Sequence, residues 1–199
     1  MRTGRLEAFS DGVIAILITI MVLELKVPNG DSFADLRHEV PVLLAYVLSF
    51  VYLGIYWNNH HHLLQVTDRV DGLVLWANLH LLFWLSLVPF ATEWLGREFA
   101  ADTSAAYGLV LLAAALAFYG LQRAILRAQG QDSLLARALG RDWKGRLSPV
   151  AYTVAVMLSF AQPWIAVAVY VAVALAWLVP DRRVERIVAV MAQDAAEQG

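Results

Sequence analysis

The chain contains no cysteine. That excludes disulfide staples, thiolate metal sites, iron–sulfur clusters and a thiol nucleophile. Charge is scarce as well: 16% of residues are charged, against about a quarter in an ordinary soluble domain. The formal net charge of -2 excludes the basic surface that nucleic-acid binding requires. No Walker loop, glycine-rich phosphate loop or Ser–His–Asp order occurs in the sequence, so none of those catalytic frameworks is available. What is present is apolar: 60% of the 199 residues are hydrophobic, and the mean hydropathy is +0.59. Seven Trp and seven Tyr suit positions at a membrane–water boundary. These numbers describe an integral membrane protein with little soluble mass.

Charge-free windows set the number of spans. Residues 72–92, 103–122 and 40–59 contain no Asp, Glu, Lys or Arg over 21, 20 and 20 residues. Each is long enough to cross a hydrocarbon core of about 30 Å as a helix. Pro41 falls in the first turn of its span, where a missing N–H costs little. Residues 147–180 form a charge-free stretch of 34 residues with Ala161-Gln162-Pro163 at its middle, which reads as a helical hairpin of two short spans. The N-terminal window is shorter, with only 12 uncharged residues between Asp11 and Glu24. A signal peptide is a poor reading of it: the basic start is there, but Ser10-Asp11 cuts into the apolar run and no small-x-small cleavage site follows. It counts as a span whose polar residues must face protein or water.

The sequence therefore predicts an all-α, polytopic membrane protein forming a single domain over 1–199, with six transmembrane helices at about 6–27, 40–59, 72–95, 103–123, 147–161 and 164–180. Amphipathic segments at 132–146 and 181–196 are expected outside the bilayer. With six spans, 12 of the 15 basic residues fall on the side of both termini, and only Lys26, Arg37 and Arg97 on the other. The positive-inside rule then places both termini in the cytoplasm of a cell-membrane protein. The cytoplasmic arginines are expected to meet anionic lipid headgroups.

The first span carries the unusual chemistry. Asp11 sits within two helical turns of its cytoplasmic entrance, where an unpaired carboxylate costs several kcal/mol. Arg5 is six residues away, so the two are not partners along one helix; Asp11 is expected to accept from neighbouring helices, with Ser10 assisting. Further along, Ile16, Thr19, Ile20 and Leu23 fall at i, i+3, i+4 and i+7, one helix face. Taken alone, that stripe is compatible with ordinary packing.

Arg5-x-x-x-Phe9-Ser10-Asp11, followed by an Ile/Leu/Thr-rich helix, resembles the signature of the transmembrane protein 175 family. Tyr56-Trp57-x-x-His60-His61, Trp76-x-Asn78 and Leu87-x-Pro89-Phe90-Ala91-Thr92 also fit. The resemblance covers about the first 95 residues; the second half matches in span number and hydropathy. These are endolysosomal potassium channels in animals and bacterial relatives with one six-span unit per chain. The resemblance implies a homotetramer whose four first helices line a central pore, with Ile16 at the constriction and Thr19, Ile20 and Leu23 facing the pore beyond it. It implies potassium as the permeant ion and no cofactor, metal or small-molecule substrate. There is no Thr-Val-Gly-Tyr-Gly loop, so a carbonyl-ring filter is absent and the narrowest point would be hydrophobic, with modest preference for potassium over sodium.

Asn58-Asn59-His60-His61-His62 ends the second span. Three adjacent histidines point about 100° apart on a helix, so they cannot share one metal ion. They are either helix-end residues at the headgroups or, as the resemblance favours, include one member of a polar network, His60 or His61, that joins Arg5, Phe9, Ser10 and Asp11 through Trp76 or Asn78. A membrane metalloenzyme built on His60–His62 and a secondary transporter are the alternatives. A transporter would want broken helices or ionisable groups at mid-membrane, and those zones are nearly free of charge.

Overall fold

The structure is a computed structural model that describes residues 3–28, 30, 32–33, 35–130 and 143–178. Among these residues it contains seven α-helices and one 3-10 turn, Asp35–His38. The helices are α1 (Thr3–Leu23), α2 (Val40–Gln65), α3 (Gly72–Ser86), α4 (Val88–Arg97), α5 (Ala101–Gln129), α6 (Trp143–Ser159) and α7 (Pro163–Leu178). The expected amphipathic segments at 132–146 and 181–196 lie largely or wholly outside the described residues.

Among the described residues, four stretches are long and apolar enough to cross a membrane: Thr3–Leu23, Val40–Gln65, Gly72–Arg97 and Ala101–Gln129. The last two α-helices are shorter, at 17 and 16 residues. At 1.5 Å per residue each is roughly 25 Å long, and they pack against one another as an antiparallel pair around the Phe160–Gln162 turn. Pro163 opens α7, where its missing N–H has no intrahelical acceptor to lose.

Several helix limits differ from the hydropathy windows: α2 runs on to Gln65, α5 runs on to Gln129, and α6 begins at Trp143. The first helix ends at Leu23 rather than at 27, with Glu24 N bonding to Met21 O at 3.3 Å and Leu25 N to Val22 O at 3.2 Å in a tightened last turn. The third span is not one helix. It breaks at Leu87 and restarts at Val88 with Pro89 in the new first turn. Proline has no N–H to give and its ring clashes with the preceding turn, so the helix must kink there. Leu87 N bonds to Trp84 O at 3.2 Å, closing α3, and Ala91 N bonds to Leu87 O at 3.0 Å, opening α4.

Helix ends are closed by the residues the sequence places there. Asp71 caps α3 by accepting from Val74 N at 2.9 Å, and Thr103 Oγ1 accepts from Ala100 N at 3.1 Å at the start of α5. Gly130 follows α5 at φ 89°, a left-handed conformation that glycine adopts without a Cβ penalty.

Two apolar clusters hold the bundle. Ile14, Leu17 and Met21 of α1 pack with Leu53, Leu81, Leu85 and Leu121. Tyr52, Tyr107, Tyr152 and Tyr170 form the second cluster with Leu111 and Ala155. Close approach there depends on Gly108: a Cβ on this residue would collide with the Tyr170 hydroxyl. Buried hydroxyls are paired: Thr92 Oγ1 donates to Ser49 Oγ at 2.6 Å, and Tyr52 OH donates to the Tyr170 carbonyl at 2.6 Å. In hydrocarbon an unmade hydrogen bond is costly, so these contacts fix how α2 meets α4 and α7.

Candidate pore helix and its polar clamp

The first helix has two dissimilar sides. Leu6, Ser10, Ile14, Leu17 and Met21 are buried against the rest of the chain. The opposite side carries Ile16, 57% exposed, Ile20, 41%, and Leu23, 77%, together with exposed Gly12 and Thr19. Both sides follow from helical periodicity. Thr19 Oγ1 donates to the Ile16 carbonyl at 2.9 Å. Its proton is thereby used, and the oxygen lone pairs face away from the chain's own core.

At the N-terminal end of α1 a buried hydrogen-bond chain crosses three helices. His60 Nε2 donates to Asn78 Oδ1 at 2.7 Å, since a carboxamide oxygen can only accept. Asn78 Nδ2 donates to Ser10 Oγ at 3.0 Å, and Ser10 Oγ donates to the Leu6 carbonyl at 2.9 Å. Ser10, His60 and Asn78 are each fully buried. His60 Nδ1 is buried without a hydrogen-bond partner among the described residues.

A second, more exposed set lies beside it. Trp57 Nε1 donates to Asp11 Oδ1 at 3.0 Å. Trp57 stacks on His61 at 5.9 Å and 19°. His61 Nδ1 meets Glu7 Oε1 at 2.7 Å, and His61 Nε2 lies 2.8 Å from Gln65 Nε2. The geometry suits a His61 tautomer whose Nδ1 donates to Glu7 and whose Nε2 accepts from the Gln65 amide. Thr3 Oγ1 adds a hydrogen bond to the Thr67 carbonyl at 2.9 Å. Together these contacts clamp the start of α1 onto the end of α2 and the start of α3.

Of the residues singled out in the sequence, Ser10, Asp11, His60, His61 and Asn78 lie within these contacts. Three do not. Trp76 is 74% exposed, because two residues along a helix turn it about 200° away from Asn78. Arg5 is exposed and makes no hydrogen bond or ion pair among the described residues. Phe9 is half exposed, next to the uncovered side of α1. The tryptophan that reaches Asp11 is Trp57, and the acidic partner of His61 is Glu7; neither was singled out for that role. Both had a signal, since Trp57 precedes His61 and Glu7 precedes Asp11 by four residues, which sets each pair on one helix face. Sequence spacing alone could not say which helices would face one another.

The three histidines diverge as helix geometry requires: His60 turns into the buried chain and His61 to Glu7. Among the described residues, no three His, Asp or Glu side chains gather in a way that could hold a metal ion.

The family model described as the endosomal/lysosomal potassium channel TMEM175 matches residues 5–89, which include nearly all of α1, the clamp apart from Thr3, and the α3–α4 kink. A potassium channel of Chryseobacterium sp. (strain P1-3) is 54% identical over 187 residues, which are 94% of this chain and 97% of that protein. A potassium channel of Chamaesiphon minutus is 36% identical over 183 residues, covering 84% of this chain and 89% of the relative. The crystal structure of a lysosomal potassium-selective channel TMEM175 homolog from Chamaesiphon minutus matches with a TM-score of 0.78 and 32% identity, over 88% of this chain and 96% of that one. By full-length identity and by fold, this chain belongs to the TMEM175 family.

Proposed function

We propose that the chain is one subunit of a potassium channel, modestly selective over sodium, in which the first helices of a homotetramer surround a hydrophobic constriction. The supporting observation is the uncovered side of α1. That side sets Ile16, Thr19, Ile20 and Leu23 on one helix face left uncovered by the chain's own core, with Asp11 at its edge. Four such helices around an axis would present rings of Ile16, Thr19, Ile20 and Leu23. The rings of aliphatic side chains would admit water reluctantly and so gate by dewetting. The Thr19 oxygens, with their protons engaged by the Ile16 carbonyls, could substitute for part of an ion's hydration shell.

In this reading Arg5, Phe9 and Trp76 act between subunits, since they are exposed in one chain. Ser10, Asp11, His60, His61 and Asn78 hold the pore helix in place. The membrane is the cell membrane, with both termini cytoplasmic. Arg123, Arg127 and Arg146 lie at the end of the bundle that holds the N-terminus and meet anionic headgroups. The channel relatives support passive conduction over transport or catalysis.

The deciding experiment is flux from the purified protein in liposomes under a potassium gradient. Ion movement without valinomycin, larger for potassium than for sodium, is expected. Vesicles as tight as protein-free controls would refute the reading.

A further inference from the structure

Away from α1, a cleft of about 1090 Å³ opens between α3 and α5, at the end of the bundle where α3 begins and α5 ends. Its chemistry is divided along its length. Arg123 and Arg127 line it four residues apart, on one face of α5. Leu116 lines it from the same face, about 10 Å further into the span along the helix axis, and Leu73 of α3 adds apolar wall. Among the described residues that line it none is acidic. The Arg123 guanidinium lies over the Tyr119 ring, 5.3 Å from its centroid, and neither arginine pairs with a carboxylate among the described residues. His80 supplies a third donor. Trp84 Nε1 donates to its Nε2 at 3.2 Å, which leaves the proton of the neutral ring on Nδ1. Gly120 also lines the cleft, and a Cβ built there would meet nothing within 4 Å, so the space is open and not closed by packing.

We propose that this cleft is a specific site for one anionic phospholipid of the cytoplasmic leaflet. The phosphodiester sits between Arg123 and Arg127, whose forked donors match phosphate oxygens. His80 Nδ1 donates to an ester carbonyl, and an acyl chain lies over Gly120 along Leu116. Two guanidinium groups without a counter-charge, beside an apolar wall that continues into a membrane span, match a ligand that is anionic at one end and hydrocarbon at the other. A free phosphate would use the arginines and leave that wall bare. The choice of leaflet rests on the topology proposed above. Binding itself is read without ion flux, so failure of the channel reading and failure of the lipid site are separate results.

The test is native mass spectrometry of the purified full chain in detergent, titrated in turn with dioleoyl phosphatidylglycerol, dioleoyl phosphatidylcholine and glycerol 3-phosphate. Saturable binding of phosphatidylglycerol is expected, about tenfold tighter than phosphatidylcholine, with no glycerol 3-phosphate retained. A variant carrying Arg123→Gln and Arg127→Gln should bind phosphatidylglycerol about tenfold more weakly, as the loss of two surface cations implies. Arg146→Gln removes a positive charge outside the cleft and should weaken binding by less than about twofold on the same grounds. Gly120→Phe fills the cleft and should abolish the saturable adduct at an unchanged melting temperature in lipid-free detergent. Equal affinity for the two phospholipids, glycerol 3-phosphate bound as tightly as phosphatidylglycerol, or an equal loss from Arg146→Gln means a free-anion site or diffuse surface charge and overturns the proposal. So does a Gly120→Phe protein that binds lipid like wild type, or one whose oligomer dissociates with lipid binding intact, which would make a second copy the occupant. If a variant fails to fold, phosphatidylglycerol bearing a diazirine in its acyl chain decides the matter on wild type: label on residues 73–80 and 116–127 supports the site, and label confined to other segments refutes it.

Discussion

Asn78 joins His60 to Ser10: its carboxamide oxygen lies 2.7 Å from His60 Nε2, and its nitrogen 3.0 Å from Ser10 Oγ. One side chain on α3 thus satisfies a polar group on α2 and another on α1, all three fully buried. Asn78→Leu keeps similar volume but strands both neighbours. The expected loss is about 2–4 kcal/mol, from two buried groups left unsatisfied at about 1–3 kcal/mol each with partial relaxation. Ser10→Ala removes one acceptor and should cost roughly half as much. Thermal melting of the detergent-solubilised protein checks both, and an Asn78→Leu protein as stable as wild type would show that the bridge contributes nothing.

Asp11 accepts from Trp57 on the neighbouring helix. Removing the carboxylate by Asp11→Ala frees the indole and loosens the end of α1, so oligomer assembly should suffer, and not merely ion flux. Trp57→Phe leaves the carboxylate but removes its donor and should give a milder form of the same defect. Size-exclusion profiles compared across wild type, Asp11→Ala and Trp57→Phe test the order. Wild-type oligomer size and melting temperature in Asp11→Ala would count against the clamp.

The split of basic residues predicts sidedness. Reporter fusions at Gly199 and in the loop between Pro28 and Arg37 should lie on opposite sides of the membrane. Fusions that report the same side would remove the six-span topology.

At the other end of α1, the Glu93 carboxyl hydrogen-bonded to Glu24 raises the Glu24 carboxyl above its ordinary value, with burial adding to the effect and Arg97 and Lys26 opposing it. A carboxyl whose folded value is raised stabilises the fold while it is protonated, below its unfolded value, and that contribution is lost as pH rises through the raised folded value. A small fall in melting temperature is therefore expected as pH climbs through and just above the ordinary carboxylate range. Glu24→Gln should flatten that limb; an unchanged slope in the variant would assign the effect to other groups.

The helical membrane fold was legible because a bilayer imposes a simple demand, about 20 apolar residues per crossing, and charge-free windows report it directly. The α3–α4 kink was not read, although Pro89 was in view, because hydropathy averages across a break that keeps the chain apolar. Within the polar cluster, burial cost pointed to Asp11, and the family resemblance to His60 or His61. Burial cost could not choose between Trp57 and Trp76 as the indole that reaches Asp11. That choice depends on which faces of α1, α2 and α3 meet, and in helices apolar on nearly every side the pattern carries little information about rotation.

Ile16 and Ile18 separate the pore reading from a general effect of polarity in α1. Ile16 is 57% exposed on the uncovered side, whereas Ile18 packs against the main apolar cluster. By the 100° helical step they point about 160° apart. If four copies of α1 surround an axis, Ile16→Asn places four amides at the narrowest ring and hydrates it. Ion flux in liposomes should rise, and discrimination between potassium and sodium should fall, while the protein remains assembled. Ile18→Asn instead buries an unpaired amide in the packed interface, which costs a few kcal/mol; it should lower the melting temperature without increasing flux per assembled channel. Paired measurements of flux, sodium-to-potassium ratio and melting temperature on the two variants resolve the cases. Should Ile16→Asn assemble normally and leave both flux and selectivity at wild-type values, α1 does not form the constriction, and a conducting pore would have to be lined by another helix.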